Sequence, residues 1–124
     1  MIKKETGSQR YQEQSHLFKA LSHPARIAIL EILRNGEECV CHLVAILGFR
    51  QSTISQQLGV LRKAGLVEDR RDSWNVYYRV VRPEINSILD TVKAMTGSRS
   101  MIALNPKNCA CPRCNSKREG SFFE

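Results

Sequence analysis

The spacing of apolar residues in the first third of the chain predicts two helices after a frayed, polar start at residues 1–8. The first helix is expected at residues 10–21 and the second at residues 24–34, with Ser22 as the N-cap of the second. Asn35-Gly36 predicts the end of that helix. Its apolar stripe is wide enough for a buried helix and consists of Ile27, Ile29, Leu30, Ile32 and Leu33.

Two further helices are predicted at residues 38–47 and 51–64, joined by a short turn that begins at Gly48. Ser52 is expected as the N-cap of the later helix. The side chains of this helix that face the core are predicted to be Ile54, Leu58 and Leu61. A helix, a short turn and a second helix form the layout of a helix-turn-helix.

The pattern then changes from helical spacing to alternation, which predicts strands at residues 66–71 and 75–81 around a turn at residues 72–74. Pro83 stops the second strand and begins a last helix that ends at Gly97. The apolar face of this helix is formed by Ile85, Ile88, Leu89 and Val92.

These elements predict a mainly α domain with a small β-hairpin wing, the winged helix-turn-helix architecture, at residues 1–97. From Ser98 onward Ser, Pro, Asn, Lys and Arg dominate. We therefore expect residues 98–124 to form a flexible C-terminal tail, which carries three cysteines.

The charge of the chain favours a polyanionic partner, because the formal net charge is +7 and the pI is near 9.5. The excess falls partly on residues 51–82, with six Lys and Arg against three Asp and Glu, whereas residues 21–50 are balanced. No run reaches the roughly 18 apolar residues of a membrane span, and the start has no secretory signal, so we expect a cytoplasmic protein. Neither a phosphate-binding glycine motif nor a base beside a nucleophile is present, and no enzyme is expected.

The second helix of a helix-turn-helix enters the major groove, and its first turn contacts base edges. Here that turn offers short hydroxyl and amide side chains suited to bases and phosphates, namely Gln51, Ser52, Thr53, Ser55 and Gln56. Arg62 lies near the far end of the same helix, and Arg70 and Arg71 lie on the hairpin. We predict these eight residues as the DNA-binding set. The aromatic residues Trp74, Tyr77 and Tyr78 are expected to pack within the hairpin.

Three segments resemble the ArsR/SmtB family of metal-sensing repressors: residues 51–67 with 74–79, residues 21–30, and Glu38-Cys-Val-Cys-His-Leu43. The resemblance covers about residues 10–95 in order, and departs from the family at Gln57, where His is common. It implies a homodimeric repressor that binds a palindromic operator through the winged helix and releases it when an inducer binds. It also implies that the first and last helices form the dimer interface.

The five cysteines form two groups, Cys39 with Cys41, and Cys109 with Cys111 and Cys114. Grouped thiols in a chain without a secretory signal favour metal or redox chemistry over disulfides. On a regular helix Cys39 and Cys41 point about 200° apart, so an ion that binds both sulfurs is expected to distort the start of the third helix. We predict all five cysteines as metal ligands.

Thiolates select soft ions, and three of them suit trigonal arsenic(III) or lead(II). The box at Cys39 and Cys41 resembles those of arsenic sensors and of cadmium/lead sensors. Arsenic sensors often carry a third cysteine where Val44 stands, and cadmium/lead sensors take cysteines from an N-terminal arm that has none here. We favour arsenite or antimonite as the inducer, with cadmium(II) or lead(II) as an alternative.

Two other interpretations of the polar and thiol residues stay open. A thiol redox switch on the same scaffold would use the cysteines without metal. His42 adjoins the thiol box and is expected on the surface, with a ligand role as the lesser alternative. Because the last helix contains no His, we expect no His and carboxylate zinc site there.

Overall fold

The structure is a computed structural model that describes residues 2–97, with side chains from residue 9 onward. The helices are α1 (Ile2–Leu21), α2 (Pro24–Leu33), α3 (Val40–Leu47), α4 (Gln51–Lys63) and α5 (Glu84–Thr96). The strands are β1 (Glu38–Cys39), β2 (Val67–Asp72) and β3 (Asn75–Val80). The predicted helix-turn-helix, hairpin and last helix are confirmed, and with them the winged helix-turn-helix architecture. The tail at residues 98–124 lies outside the described residues.

The start of α1 and the N-cap of α2 differ from those that the sequence predicts. The backbone of α1 is helical from Ile2, whereas the apolar pattern predicts a start near Arg10. An apolar stripe marks only the part of a helix that packs, so it gives no sign of a polar first half. The N-cap of α2 is His23 and not Ser22: the His23 Nδ1 accepts the Ala25 N–H at 3.1 Å.

The sheet contains a strand that the sequence does not predict. The strand order is β1-β3-β2 with all pairs antiparallel, and β1 adds a short edge of Glu38 opposite Tyr78 and Cys39 opposite Tyr77. β2 and β3 pair from Val67 opposite Val80 to Asp72 opposite Asn75. The wing is therefore joined to the segment that leads into α3.

The core lies where α2, α3 and α4 meet the base of the hairpin and the inner face of α5. Its fully buried side chains supply the main hydrophobic stabilisation of so small a domain. They include Ile29, Leu30, Ile32, Leu43, Ile54, Leu58, Leu61 and Ile85. Ile27, predicted in the buried stripe of α2, is instead exposed.

Two ion pairs fasten α5 to α2 beside this core. Arg34 donates to both carboxylate oxygens of Asp90, at 2.7 and 3.1 Å, and Lys93 donates to Glu31 at 2.6 Å. The hydrogen bond from Arg34, together with its charge, lowers the pKa of Asp90. Among the helices that the structure describes, none is both long and apolar enough to cross a membrane.

Candidate nucleic-acid interface and thiol cleft

The turn between α3 and α4 sets the direction of the second helix. Gly48 ends α3 with φ 75°, and its N–H donates to the Val44 carbonyl at 2.8 Å. This left-handed conformation favours glycine, because a side chain there is strained. Arg50, and not the predicted Ser52, is the N-cap of α4, without a side-chain capping bond. The Ser52 hydroxyl is thus in the first turn of the helix.

The first turn of α4 has one buried and one polar face. Ile54 is buried, as are Leu58 and Leu61 further along the helix. Thr53 is half-buried, and the exposed residues are Gln51, Ser52, Ser55 and Gln56. The predicted reading residues therefore lie together on the outer side of the helix, at an N-terminus that also favours a phosphate.

The basic residues of the predicted set differ in their partners. Arg62 lies 3.6 Å from the carboxylate of Asp69. Arg70 bonds to Glu37 and lies 4.8 Å from the centre of the Tyr77 ring. Arg71 is exposed and makes no ion pair with any residue that the structure describes.

The tip of the wing is a two-residue loop, Ser73 and Trp74, in which Ser73 has φ 56°. Trp74 is 97% exposed, so the expectation that it packs within the hairpin is wrong. The loop lies beyond the last strand pair, where no neighbouring strand can cover a side chain. Tyr77, within β3, is buried as expected.

Cys39 and Cys41 lie closer together than helical spacing predicts. Cys39 belongs to β1 and has extended backbone angles, φ −83° and ψ 159°, whereas Cys41 is in the first turn of α3. The two Sγ atoms are 3.0 Å apart, so the prediction that the sulfurs point about 200° apart is wrong. That prediction assumed a helix from Glu38, and β1 occupies these residues instead.

The thiol pair lines a cleft of about 260 Å³ between α3, α4 and the wing. Cys39 is buried and Cys41 is half-buried. The opposite walls include Gln51 and Ser55 of α4 and Trp74 of the wing. One cavity thus contacts the thiols, the first turn of the candidate reading helix and the wing tip.

The donor set suits a soft ion. Two sulfurs on one tetrahedral ion at about 2.3 Å each lie about 3.8 Å apart, so the present pair needs to open by less than about 1 Å. Within residues 2–97 no cluster of three or more Cys, His, Asp or Glu side chains is arranged to bind a metal. Cys109, Cys111 and Cys114, predicted as further ligands, lie outside the described residues.

His42 is buried, with 6% of its surface exposed, so the expectation that it lies on the surface is wrong. Its Nε2 is 3.5 Å from a carboxylate oxygen of Glu38, four residues earlier on β1. The helix α3 packs between the sheet and α4, and this placement buries His42 although its residue type favours the surface. The side chain therefore links α3 to β1, the two elements that carry the thiols.

Comparison with known proteins gives a family match over the helix-turn-helix. A sequence profile described as "Bacterial regulatory protein, arsR family" matches residues 23–69. The chain is 41% identical over 86 residues to the biofilm growth-associated repressor of Agrobacterium fabrum, covering 69% of this chain and 74% of that protein.

Two other similar proteins are an arsenic resistance regulator and a homodimeric DNA-binding domain. The arsenic resistance transcriptional regulator of Pseudomonas putida is 42% identical over 77 residues, covering 61% of this chain and 59% of that protein. The solution structure of a homodimeric winged helix-turn-helix DNA-binding domain from Mycobacterium bovis, a possible ArsR-family regulator, is 28% identical. It has a TM-score of 0.65 and covers 73% of this chain and 83% of that one.

Proposed function

Because this chain belongs to the ArsR family of bacterial regulatory proteins, whose matched members are transcriptional regulators and not enzymes, we propose that it is a homodimeric repressor controlled by its thiols. It binds operator DNA with an inverted repeat and leaves that DNA when a soft metal or metalloid ion binds Cys39 and Cys41. Arsenite or antimonite is the favoured inducer. The observation that carries the proposal is the 3.0 Å separation of the two sulfurs within a cleft that also contacts α4 and the wing.

DNA reading is assigned to the exposed side of α4 and to the wing. The hydroxyls and amides of Gln51, Ser52, Ser55 and Gln56 suit base edges, with Thr53 at the margin of this face. Arg62, Arg70 and Arg71 supply positive charge for phosphates. The similarity to DNA-binding regulators supports this assignment.

Release is assigned to the sheet that Cys39 shares with the wing. Cys39 pairs with Tyr77 in the sheet, and the two side chains pack against each other. Tyr77 in turn lies under Arg70, which bonds to Glu37 at the start of the same segment. A change in the position of the Cys39 sulfur therefore acts on β3 and the wing directly, and the start of α3 does not have to unwind.

The third ligand is assigned to the tail. Three thiolates suit a trigonal arsenic(III) or lead(II) ion, and the cleft supplies two of them. Cys109, Cys111 and Cys114 are the candidates for the third, from the same or the partner subunit. The similarity to an arsenic resistance regulator supports arsenite ahead of cadmium or lead.

The test is an anisotropy titration on a duplex that the protein itself selects from a randomised pool. Arsenite is expected to lower operator affinity by about tenfold or more, the size of typical allosteric coupling. If saturating arsenite, antimonite, cadmium and lead all leave the affinity unchanged, the metal proposal is wrong.

The same sulfur separation favours a second candidate, a thiol redox switch. A disulfide requires about 2.05 Å between the two sulfurs, so the sulfurs, which are 3.0 Å apart, need to approach only a short distance further. In that case peroxide without metal releases the DNA and dithiothreitol restores binding. A release by arsenite that persists in the presence of reductant favours the metal mechanism.

A further inference from the structure

The side chain of Arg26, on α2, connects two other helices. Its Nε donates to the Gln57 Oε1 in the middle of α4 at 2.7 Å. Its Nη1 donates to the Lys19 carbonyl at 2.9 Å and to the Ala20 carbonyl at 3.5 Å, both in the last turn of α1. One guanidinium therefore holds the end of α1 and the inner side of α4 at the same time.

Gln57 is placed as an anchor and not as a base contact. It is 7% exposed, whereas its neighbour Gln56 lies on the outer face of α4. A buried amide oxygen without a partner is costly, and here the partner is a charged donor, which makes the stronger kind of hydrogen bond. The position and angle of the candidate reading helix are thus tied to Arg26.

The contact of Arg26 with α1 also has a clear electrostatic basis. The last carbonyls of a helix lack partners within the helix and carry partial negative charge, which a guanidinium satisfies. The planar guanidinium holds its donors in a fixed geometry, so it can bond to α1 and to α4 at the same time. The single ammonium group of a lysine does not fix two such contacts. An arginine at position 26 can therefore bind the Lys19 carbonyl and the Gln57 amide oxygen simultaneously.

We propose that Arg26 and Gln57 are positioning residues that set the angle of α4 relative to α1, and hence the separation of the two reading helices. The inference rests on the proposed homodimer, in which α1 belongs to the interface. In such a dimer the distance between half-sites mirrors the distance between reading helices. The pair then determines which operator spacing the repressor accepts, without contacting DNA.

The test variant is Gln57→Leu, which places an apolar side chain of similar size in the buried position and removes the acceptor. Binding is measured to the selected inverted repeat, to the same duplex with one base pair added or removed between the half-sites, and to an isolated half-site. We expect affinity for the full operator to fall about tenfold, a typical coupling, with the preference for the original spacing flattened. Half-site affinity stays close to that of the natural chain, whereas the thermal midpoint falls because the Arg26 Nε loses its acceptor.

Two further variants make the result specific to the hydrogen bond. Gln57→Glu keeps an acceptor for Arg26 and is expected to retain the spacing preference. Arg26→Lys is expected to flatten it. The double variant Arg26→Lys/Gln57→Leu should be no worse than Arg26→Lys alone, because residues that share one interaction are not additive. Should Gln57→Leu fail to fold, Arg26→Lys beside Gln57→Glu gives the same comparison.

The outcomes separate this inference from the proposed function. If Gln57→Leu and Arg26→Lys keep the spacing profile of the natural chain, or weaken half-site and full-site binding equally, the positioning role is wrong. If the natural chain shows no dependence on spacing at all, both the proposed homodimeric repressor and the positioning role are wrong.

Discussion

Arg70 and Arg71 are neighbours on β2, yet their surroundings differ, because successive side chains of a strand point to opposite faces. Arg70 donates to both carboxylate oxygens of Glu37, at 3.1 and 2.5 Å. Arg71 has no such carboxylate among the residues that the structure describes. The positive charge of Arg71 is thus the one better placed to meet a phosphate.

This difference gives a prediction at the scale of one residue. Arg71→Ala should weaken binding to all DNA sequences alike and reduce the slope of log affinity against log salt by about one, the value for one phosphate contact. Arg70→Ala is the matched control with a smaller expected change, since its charge is already paired. Anisotropy titrations at several salt concentrations measure both slopes, and an equal or larger effect of Arg70→Ala contradicts the assignment.

At the scale of elements, the attachment of α5 to α2 depends on a charged contact whose strength varies with pH. The hydrogen bond and the charge of Arg34 lower the pKa of Asp90 in the folded protein. A carboxyl group with a lowered folded pKa contributes stability above its unfolded pKa, which is about 3.9. That contribution is lost as the pH falls through the folded pKa.

Asp90→Asn should therefore lower the urea midpoint at neutral pH, and the gap from the natural chain should close in acid. Glu84→Gln is the control on the same helix, because the Glu84 carboxylate is 3.8 Å from Arg82 and makes a looser pair. Its effect at neutral pH should be smaller. A gap for Asp90→Asn that stays constant through the acid range contradicts this account of α5.

The elements also show which features a sequence can predict. α2, α4 and α5 follow from local apolar spacing, and the polar first turn of α4 follows from its place after the turn at Gly48. β1 is two residues long and exists only because it pairs with β3, so no local pattern marks it. The short distance between the sulfurs of Cys39 and Cys41 depends on that strand. A helix through both residues, as the sequence predicts, would place the two sulfurs on different sides.

Other misses have a similar physical origin. His42 is buried by the packing of α3 between the sheet and α4, which outweighs the preference of its residue type. Trp74 lies in the turn that the sequence predicts and is exposed at the tip of the wing, although its aromatic type favours packing. Gln57 departs from the family's residue, and only the structure shows that its amide binds Arg26.

At the scale of the whole molecule, α1 and α5 leave apolar side chains uncovered. Tyr11 and Phe18 are exposed on α1, and Val92 and Met95 are exposed on α5. Exposed apolar groups on two helices of so small a domain are typical of an interface. They support the expectation that a second copy of the chain packs here.

Phe18→Glu and Met95→Glu should each shift the protein from dimer to monomer in sedimentation velocity, because a charge buried without a partner opposes association. Operator affinity should fall in parallel, since a monomer contacts one half-site. Phe49→Glu, at the exposed turn before α4, is the control for oligomeric state and should remain a dimer. Dimers in both interface variants contradict this arrangement.

The central claim is that the thiol pair controls DNA binding through the sheet that Cys39 shares with the wing. The most direct measurement is the operator affinity of Cys39→Ser and of the natural chain, each with and without arsenite. Cys39→Ser should bind the operator like the natural chain and ignore arsenite, and Cys41→Ser, at a half-buried position, should do the same. Release of Cys39→Ser by arsenite at the concentration that releases the natural chain would contradict the claim.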